Sequence, residues 1–195
     1  MSEPEWVSLC GDGKVIEHGI HGVKVLRCSN GDYIKVFRIK RRFTLAQIFN
    51  PAREFCKKVE GLQQRGIATL EPTNLYRFTH VPRWAVRYRP LHGETVRGLM
   101  QEEKLTPELI AQLGKFIVLL HNKGIYFRSL HPGNVVLQPN GKFGLIDVLD
   151  CHFRFFHRPL NKWQRERNFQ HFFRYEDGEK IEKELREAYE ASSGK

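Results

Sequence analysis

The sequence predicts an α+β fold in two parts, a small antiparallel sheet with one helix over residues 1–88 and a mostly helical part over residues 89–195. Three observations carry that prediction. Short, β-rich apolar runs separated by turn residues crowd the first part. Apolar residues at three- and four-residue spacing dominate the start of the second. Between them, RPLHGET (residues 89–95) is polar and rich in turn formers, and makes the best internal boundary of the chain.

Residues 14–37 read as three strands, VIEHG, VKVLRC and DYIKVF. Ser29-Asn30-Gly31 joins the last two, and Asn-Gly suits the backbone of a tight hairpin. Gly19-Ile20-His21-Gly22 joins the first pair. Its two glycines allow close approach to a ligand such as phosphate, while a plain flexible turn is the simpler reading. Lys35 lies between Ile34 and Val36, so alternation turns its side chain to the opposite face, where burial would demand a carboxylate or phosphate partner and exposure would demand nothing. Asn50-Pro51 supplies an N-cap and a first-turn proline, and Gly66 a stop, which brackets a helix over 51–65. Ala52, Phe55, Val59 and Leu62 form its apolar stripe. Glu54 falls in the first turn, where the helix dipole by itself favours an acid. Residues 76–78 and 84–88 complete a five-stranded sheet.

In the second part, Thr106-Pro107-Glu108 opens a helix to about Lys123, with Leu109, Ile110, Leu113, Phe116, Ile117 and Leu120 on its buried side. It leads into FRSLHPGNVVLQPNGKFGLIDVLD, residues 127–150. There the runs VVL and FGLI flank Pro139-Asn140-Gly141, a second hairpin signal. After Asp150, a basic helical pattern LNKWQRERNFQHFFRY carries Trp163, Phe169, Phe172 and Phe173 as an apolar face, read as packing in preference to base stacking. A last helix over 179–191 alternates acid and base, as a solvent-exposed helix does.

A formal net charge of +10 calls for an anionic partner but does not choose among nucleic acid, phospholipid and phosphorylated sugar. Two blocks carry much of it, residues 35–42 (KVFRIKRR) and 154–174, and a solvated basic face is the plain reading of each. The hydrophobic fraction of 41% supports a core. Four scattered cysteines make neither a disulfide framework nor a zinc pattern, which favours a reducing compartment. The opening MSEPE has no secretory pattern and the longest aliphatic run, 116–120, is too short to span a bilayer, so a cytoplasmic protein is expected.

The second hairpin is where chemistry concentrates. Antiparallel pairing should bring Asn134, before the first arm, and Asp147, after the second, to the same end. An amide oxygen beside a carboxylate is a candidate Mg²⁺ site, since that ion takes few protein oxygens and fills its shell with water and substrate phosphate. The protein-kinase catalytic loop, H-R-D-x-x-x-x-N with a following metal-binding Asp, has this spacing. At the position of its proton-accepting Asp stands Ser129.

With these pieces in order, the chain resembles the bacterial lipopolysaccharide core kinases, the Kdo and heptose kinases of the protein-kinase-like fold. The resemblance covers nearly the whole chain. It rests on LHNKGIYFRSLHPGNVVLQPNGKFGLIDVLD, PLHGETVRGLM, YIKVF followed by NPAREF and RGI, and the trailing RERNFQHFFRY. It implies a bilobal kinase-like domain, N-lobe 1–88 and minimal C-lobe 89–195. It further implies that Lys35, held by Glu54, binds the α and β phosphates of ATP, that Gly19 and Gly22 belong to the phosphate-covering loop, and that backbone near Tyr88 and Leu91 receives the adenine. Asn134 and Asp147 would be the Mg²⁺ ligands.

Two departures bear on mechanism: the family's H-G-D-L-H-P-G-N is F-R-S-L-H-P-G-N here, and the phosphate-covering loop is thin in glycine. A general base contributes roughly 10²- to 10⁴-fold, so its loss slows phosphoryl transfer without forbidding it. Asp150 or His131 could serve in its place; Ser129 itself is a poor base. The expected function is ATP- and Mg²⁺-dependent phosphorylation of a core sugar hydroxyl at the cytoplasmic face of the inner membrane, with an anionic lipopolysaccharide core or other phosphorylated glycolipid as acceptor. Peripheral membrane contact, and a partner kinase or glycosyltransferase, go with that reading. The alternatives are a pseudokinase scaffold and, third, a basic nucleic-acid-binding module, which explains the charge but not the Lys, Glu, Asn and Asp series.

Overall fold

The computed structural model describes residues 2–11, 13–19, 22–38, 50–79, 81–174 and 176–194. In chain order the first elements are α1 (Glu3–Gly11), β1 (Lys14–Gly19), β2 (Gly22–Arg27), β3 (Tyr33–Arg38), α2 (Pro51–Gln63), β4 (Ala68–Thr69), β5 (Glu71–Arg77) and β6 (Arg83–Arg89). Then come β7 (Glu94–Thr95), α3 (Val96–Gln101), α4 (Pro107–Asn122), β8 (Ile125–Phe127), β9 (Val135–Leu137), β10 (Phe143–Leu145), β11 (Cys151–Phe153), α5 (Lys162–Phe172), α6 (Glu176–Glu179) and α7 (Glu182–Ser193). The fold is mixed α+β with antiparallel sheets, and it divides into two compact units: Met1–Glu60 with Thr69–Pro90, and Gly61–Ala68 with Leu91–Lys195.

The first unit is built on a five-stranded sheet in the order β1-β2-β3-β6-β5. Alternation buries Ile34 and Val36 of β3, which join Leu26, Cys28, Phe78 and Ala85 in one cluster. Trp6 of α1 meets Phe78 edge-on at 5.4 Å. That helix was not expected from the sequence, because EPEWVSLCG carries only a single turn of apolar spacing, Trp6, Leu9 and Cys10. Phe37 meets Phe55 of α2 at 5.5 Å. Ala52, Phe55, Val59 and Leu62 are all buried as their spacing predicts, the larger three contributing about 1.5–3 kcal/mol each. Asn50 caps α2, its Oδ1 accepting from the Ala52 and Arg53 amides at 3.0 and 3.3 Å. β5 and β6 run longer than expected. The Glu, Pro and Asn of β5 are poor strand formers that an edge position against β6 tolerates.

The second unit centres on α4. Thr106 caps it, accepting from the Leu109 amide at 3.4 Å, and Ile110, Leu113, Phe116, Ile117 and Leu120 are buried. A four-stranded sheet in the order β4-β10-β9-β7 and the pair β11-β8 complete the framework. Two expectations fail here. The last helix is not solvent-exposed: Leu185 and Tyr189 of α7 are buried. A Cβ at Gly114 would lie 2.9 Å from Ala188, so α7 lies against the backbone of α4. Dense charge on the outer turns masks a two-residue buried stripe. Trp163 does not join the aromatic face either, being 68% exposed while Phe169, Phe172 and Phe173 are buried. At 100° per residue it sits roughly 120° from Phe169, about 180° from Phe172 and about 80° from Phe173.

Cys28, Cys56 and Cys151 are free thiols. Among the described residues no helix is long and apolar enough to cross a membrane.

Candidate functional site

The hairpin β9–β10 forms as the Asn-Gly signal predicts. Gly141, at φ +77°, donates its amide to Gln138 O at 2.9 Å, and Lys142 N donates to Asn140 Oδ1 at 3.0 Å. The register pairs Val135 with Leu145, and one step further the Ile146 amide donates to Asn134 O at 3.0 Å. Asn134 and the residue preceding Asp147 are therefore opposite each other. Asn134 is buried at the end of a 3₁₀ turn, Pro132–Asn134, and its Nδ2 donates to the Ser129 carbonyl at 3.0 Å. Asp147 follows in the left-handed region, at φ 51° and ψ 48°, with an exposed side chain. Such a backbone costs an Asp about 1–2 kcal/mol. Two hard oxygen donors at one end of a pinned hairpin are chemically suited to Mg²⁺.

The loop leading in is tied to its surroundings through backbone and imidazole. The Arg128 amide donates to Asp150 O at 3.2 Å, and Phe127 pairs with Cys151, so the exposed Asp150 lies across from the residue before Ser129. His131 Nδ1 accepts from the Gly133 amide at 3.1 Å, which puts the proton of the neutral ring on Nε2. Gly133 lies close to its neighbours: a Cβ there would stand 2.9 Å from Arg97 Nη1, the end of a flexible side chain, and 3.1 Å from the His131 ring. The turn-rich stretch before α3 supports the same loop: Glu94 and Thr95 pair with Leu137 and Val136, and Thr95 Oγ1 caps α3 by accepting from Gly98 N at 3.0 Å.

Two supports were missed in the sequence. Asn168, buried in α5, donates Nδ2 to Phe127 O at 2.7 Å, and His171 Nδ1 donates to Leu130 O at 3.2 Å. They stand three residues apart, one helical turn, and hold the carbonyls on either side of Arg128 and Ser129. His171 also stacks on His131, centroids 6.2 Å apart at 23°. A polar pair at that spacing within an aromatic face was the available signal.

The remaining candidates lie as follows. Leu91, in the second unit, is half-buried, and its Cδ2 would lie 2.6 Å from a Cβ at Gly144. In the first unit, Lys35 pairs across the sheet with Val25 and Val86, and its Nζ stands 5.7 Å from the centre of the Phe55 ring. Glu54 is in the first turn of α2, where its Oε1 accepts from Lys57 Nζ at 3.2 Å. Tyr88 is stacked on Tyr33 at 5.8 Å. Gly19 and Gly22 face each other across the β1–β2 hairpin, Gly22 at φ +107°. Ile20 and His21 between them lie outside the described residues, as do residues 39–42 of the first basic block.

Across the described residues no group of three or more His, Cys, Asp or Glu is placed to hold a metal ion; the Asn134 and Asp147 pair is the candidate. A scan of protein-family models and a search of curated proteins find no match to this chain.

Proposed function

We propose that the chain is a protein-kinase-like phosphotransferase of lipopolysaccharide core assembly, using ATP and Mg²⁺ to phosphorylate a Kdo or heptose hydroxyl. The observation that carries this reading is the hairpin end at which Asn134 Oδ1 and the Asp147 carboxylate follow a loop pinned at Ser129. Asn134 and Asp147 would hold Mg²⁺, which when bound neutralises developing phosphate charge. Lys35 would engage the α and β phosphates, with Glu54 positioning it and the backbone near Tyr88 and Leu91 taking the adenine. The acceptor is an anionic glycolipid, in keeping with a net charge of +10, and the protein would work in peripheral contact with the inner membrane from the cytoplasm, beside a partner kinase or glycosyltransferase.

Ser129 in place of a carboxylate supports a second reading, a pseudokinase that binds nucleotide and acts as a scaffold. Thermal unfolding with and without Mg-ATP addresses both. Both require a rise in Tm that disappears in Lys35→Ala and in Asp147→Ala; no rise in the unaltered protein would overturn them together. Transfer of labelled phosphate to purified core lipopolysaccharide then separates enzyme from scaffold. In the enzyme, single-turnover rates of Asp150→Asn and His131→Ala identify the proton acceptor, the variant with an unchanged rate dismissing its residue.

A further inference from the structure

Between β11 and α5 the chain makes a loop, residues 154–159, that exposes two phenylalanines. Phe155 and Phe156 are each 80% exposed, and their rings meet edge-to-face at 4.5 Å. The loop is held out from a tied base: Arg154 N donates to Gly124 O at 2.8 Å, Leu160 N to His121 O at 2.8 Å, and the Arg154 guanidinium to Pro159 O at 3.1 Å. Phe156 and His157 both adopt left-handed backbone, at φ 53°. Two consecutive non-glycine residues rarely do so. Arg154 also reaches Gln164 Oε1 at 3.5 Å, which ties the first turn of α5 to the loop and puts Trp163, 68% exposed, on its flank.

Charge decides what this tip meets. From Cys151 to Arg165 there is no acidic residue, while Arg154, Arg158, Lys162 and Arg165 are cationic. Apolar rings at a tip, cations behind them and an aromatic on the flank match the layering of an anionic bilayer, acyl chains inside and phosphates at the rim. An edge-to-face pair presents no shared parallel platform for successive bases.

We propose that loop 154–159, flanked by Trp163, is a wedge that inserts Phe155 and Phe156 into the surface of an anionic phospholipid bilayer. It names the surface for the membrane contact proposed above and stands apart from phosphotransfer. A protein that binds vesicles through Phe155 and Phe156 without transferring phosphate upholds it, and one that transfers phosphate while ignoring vesicles overturns it.

The test is co-sedimentation of the full chain with vesicles of phosphatidylcholine alone or mixed with phosphatidylglycerol. Binding is expected to require the anionic lipid and to weaken with salt. The double variant Phe155→Ser, Phe156→Ser should lose roughly tenfold or more in partitioning, whereas Leu75→Ser, an exposed apolar residue of the first unit, should lose none. Equal partitioning of the double variant and the unaltered protein overturns insertion. As a check independent of the double variant's folding, a Phe156→Trp protein bound to vesicles with brominated acyl chains should be quenched at the new indole, beyond the quenching of the unaltered protein. No added quenching while bound overturns the wedge. If the double variant instead loses binding to a single-stranded oligonucleotide and keeps vesicle binding, the surface is a nucleic-acid one and the proposal fails.

Discussion

His121 is fully buried in α4, with Nδ1 2.8 Å from the Tyr189 hydroxyl, which in turn accepts from Arg165 at 3.1 Å. Burial, with the nearby Arg165 charge second, pushes its pKa from 6.5 down to about 3, against a weaker opposing interaction from Asn168. Between those values the unfolded chain binds a proton that the folded chain does not. The contribution is whole above pH about 6.5 and is lost as pH falls towards about 3, at up to about 1.4 kcal/mol per pH unit. Urea midpoints measured across that range should therefore fall less steeply for His121→Gln than for the unaltered protein; equal slopes would show that His121 is not the titrating group. Residues with a spacing signature, Asn134 and Asp147, were legible in the sequence. His121, Asn168 and His171 were not, because a polar side chain within an apolar helix face acquires its partner only when another helix packs against it.

At the scale of elements, helix propensity and packing give opposite predictions at Gly114. Gly→Ala inside a helix stabilises by about 1 kcal/mol when the new methyl meets open space. Here it would lie 2.9 Å from both the carbonyl carbon and the Cβ of Ala188 in α7, so backbone must shift. Overpacking of this kind costs about 1–3 kcal/mol. Gly114→Ala should be net destabilising in thermal unfolding, and a raised Tm would show that α7 does not lie against α4 in this way. The hairpins were legible because Asn-Gly turns and short apolar runs act locally. α4 was legible because cap, stripe and stop agree. α1 and the inner face of α7 were not, each resting on one or two side chains whose burial depends on a distant partner.

For the whole molecule, a net charge of +10 means that the compact state works against its own field. The described ion pairs relieve little of this: Lys24 with Glu17, Arg89 with Glu71 and Lys104 with Glu102 are largely exposed. Arg87 with Asp32, 2.8 Å apart, is more covered, and the Asn30 amide first, with Arg87 beside it, holds the Asp32 carboxyl below its usual range. Raising salt from about 10 mM to about 150 mM shortens the screening length to roughly 8 Å, so Tm should rise by a few degrees. A fall in Tm would mean that surface attraction outweighs the excess positive charge.

The sequence by itself determined the α+β class, the strands of the first sheet, the capped helices and the hairpin that brings Asn134 and Asp147 to one end, since each follows from turn chemistry or periodicity over a few residues. Tertiary structure alone decided that Asn168 and His171 hold the carbonyls beside Ser129, that α7 is buried against Gly114, and that Trp163 and the Phe155–Phe156 pair face outward. Those outcomes depend on which side of an element meets another. Apolar character shows that a side chain gains by leaving water, but only packing settles whether it does so inside the fold.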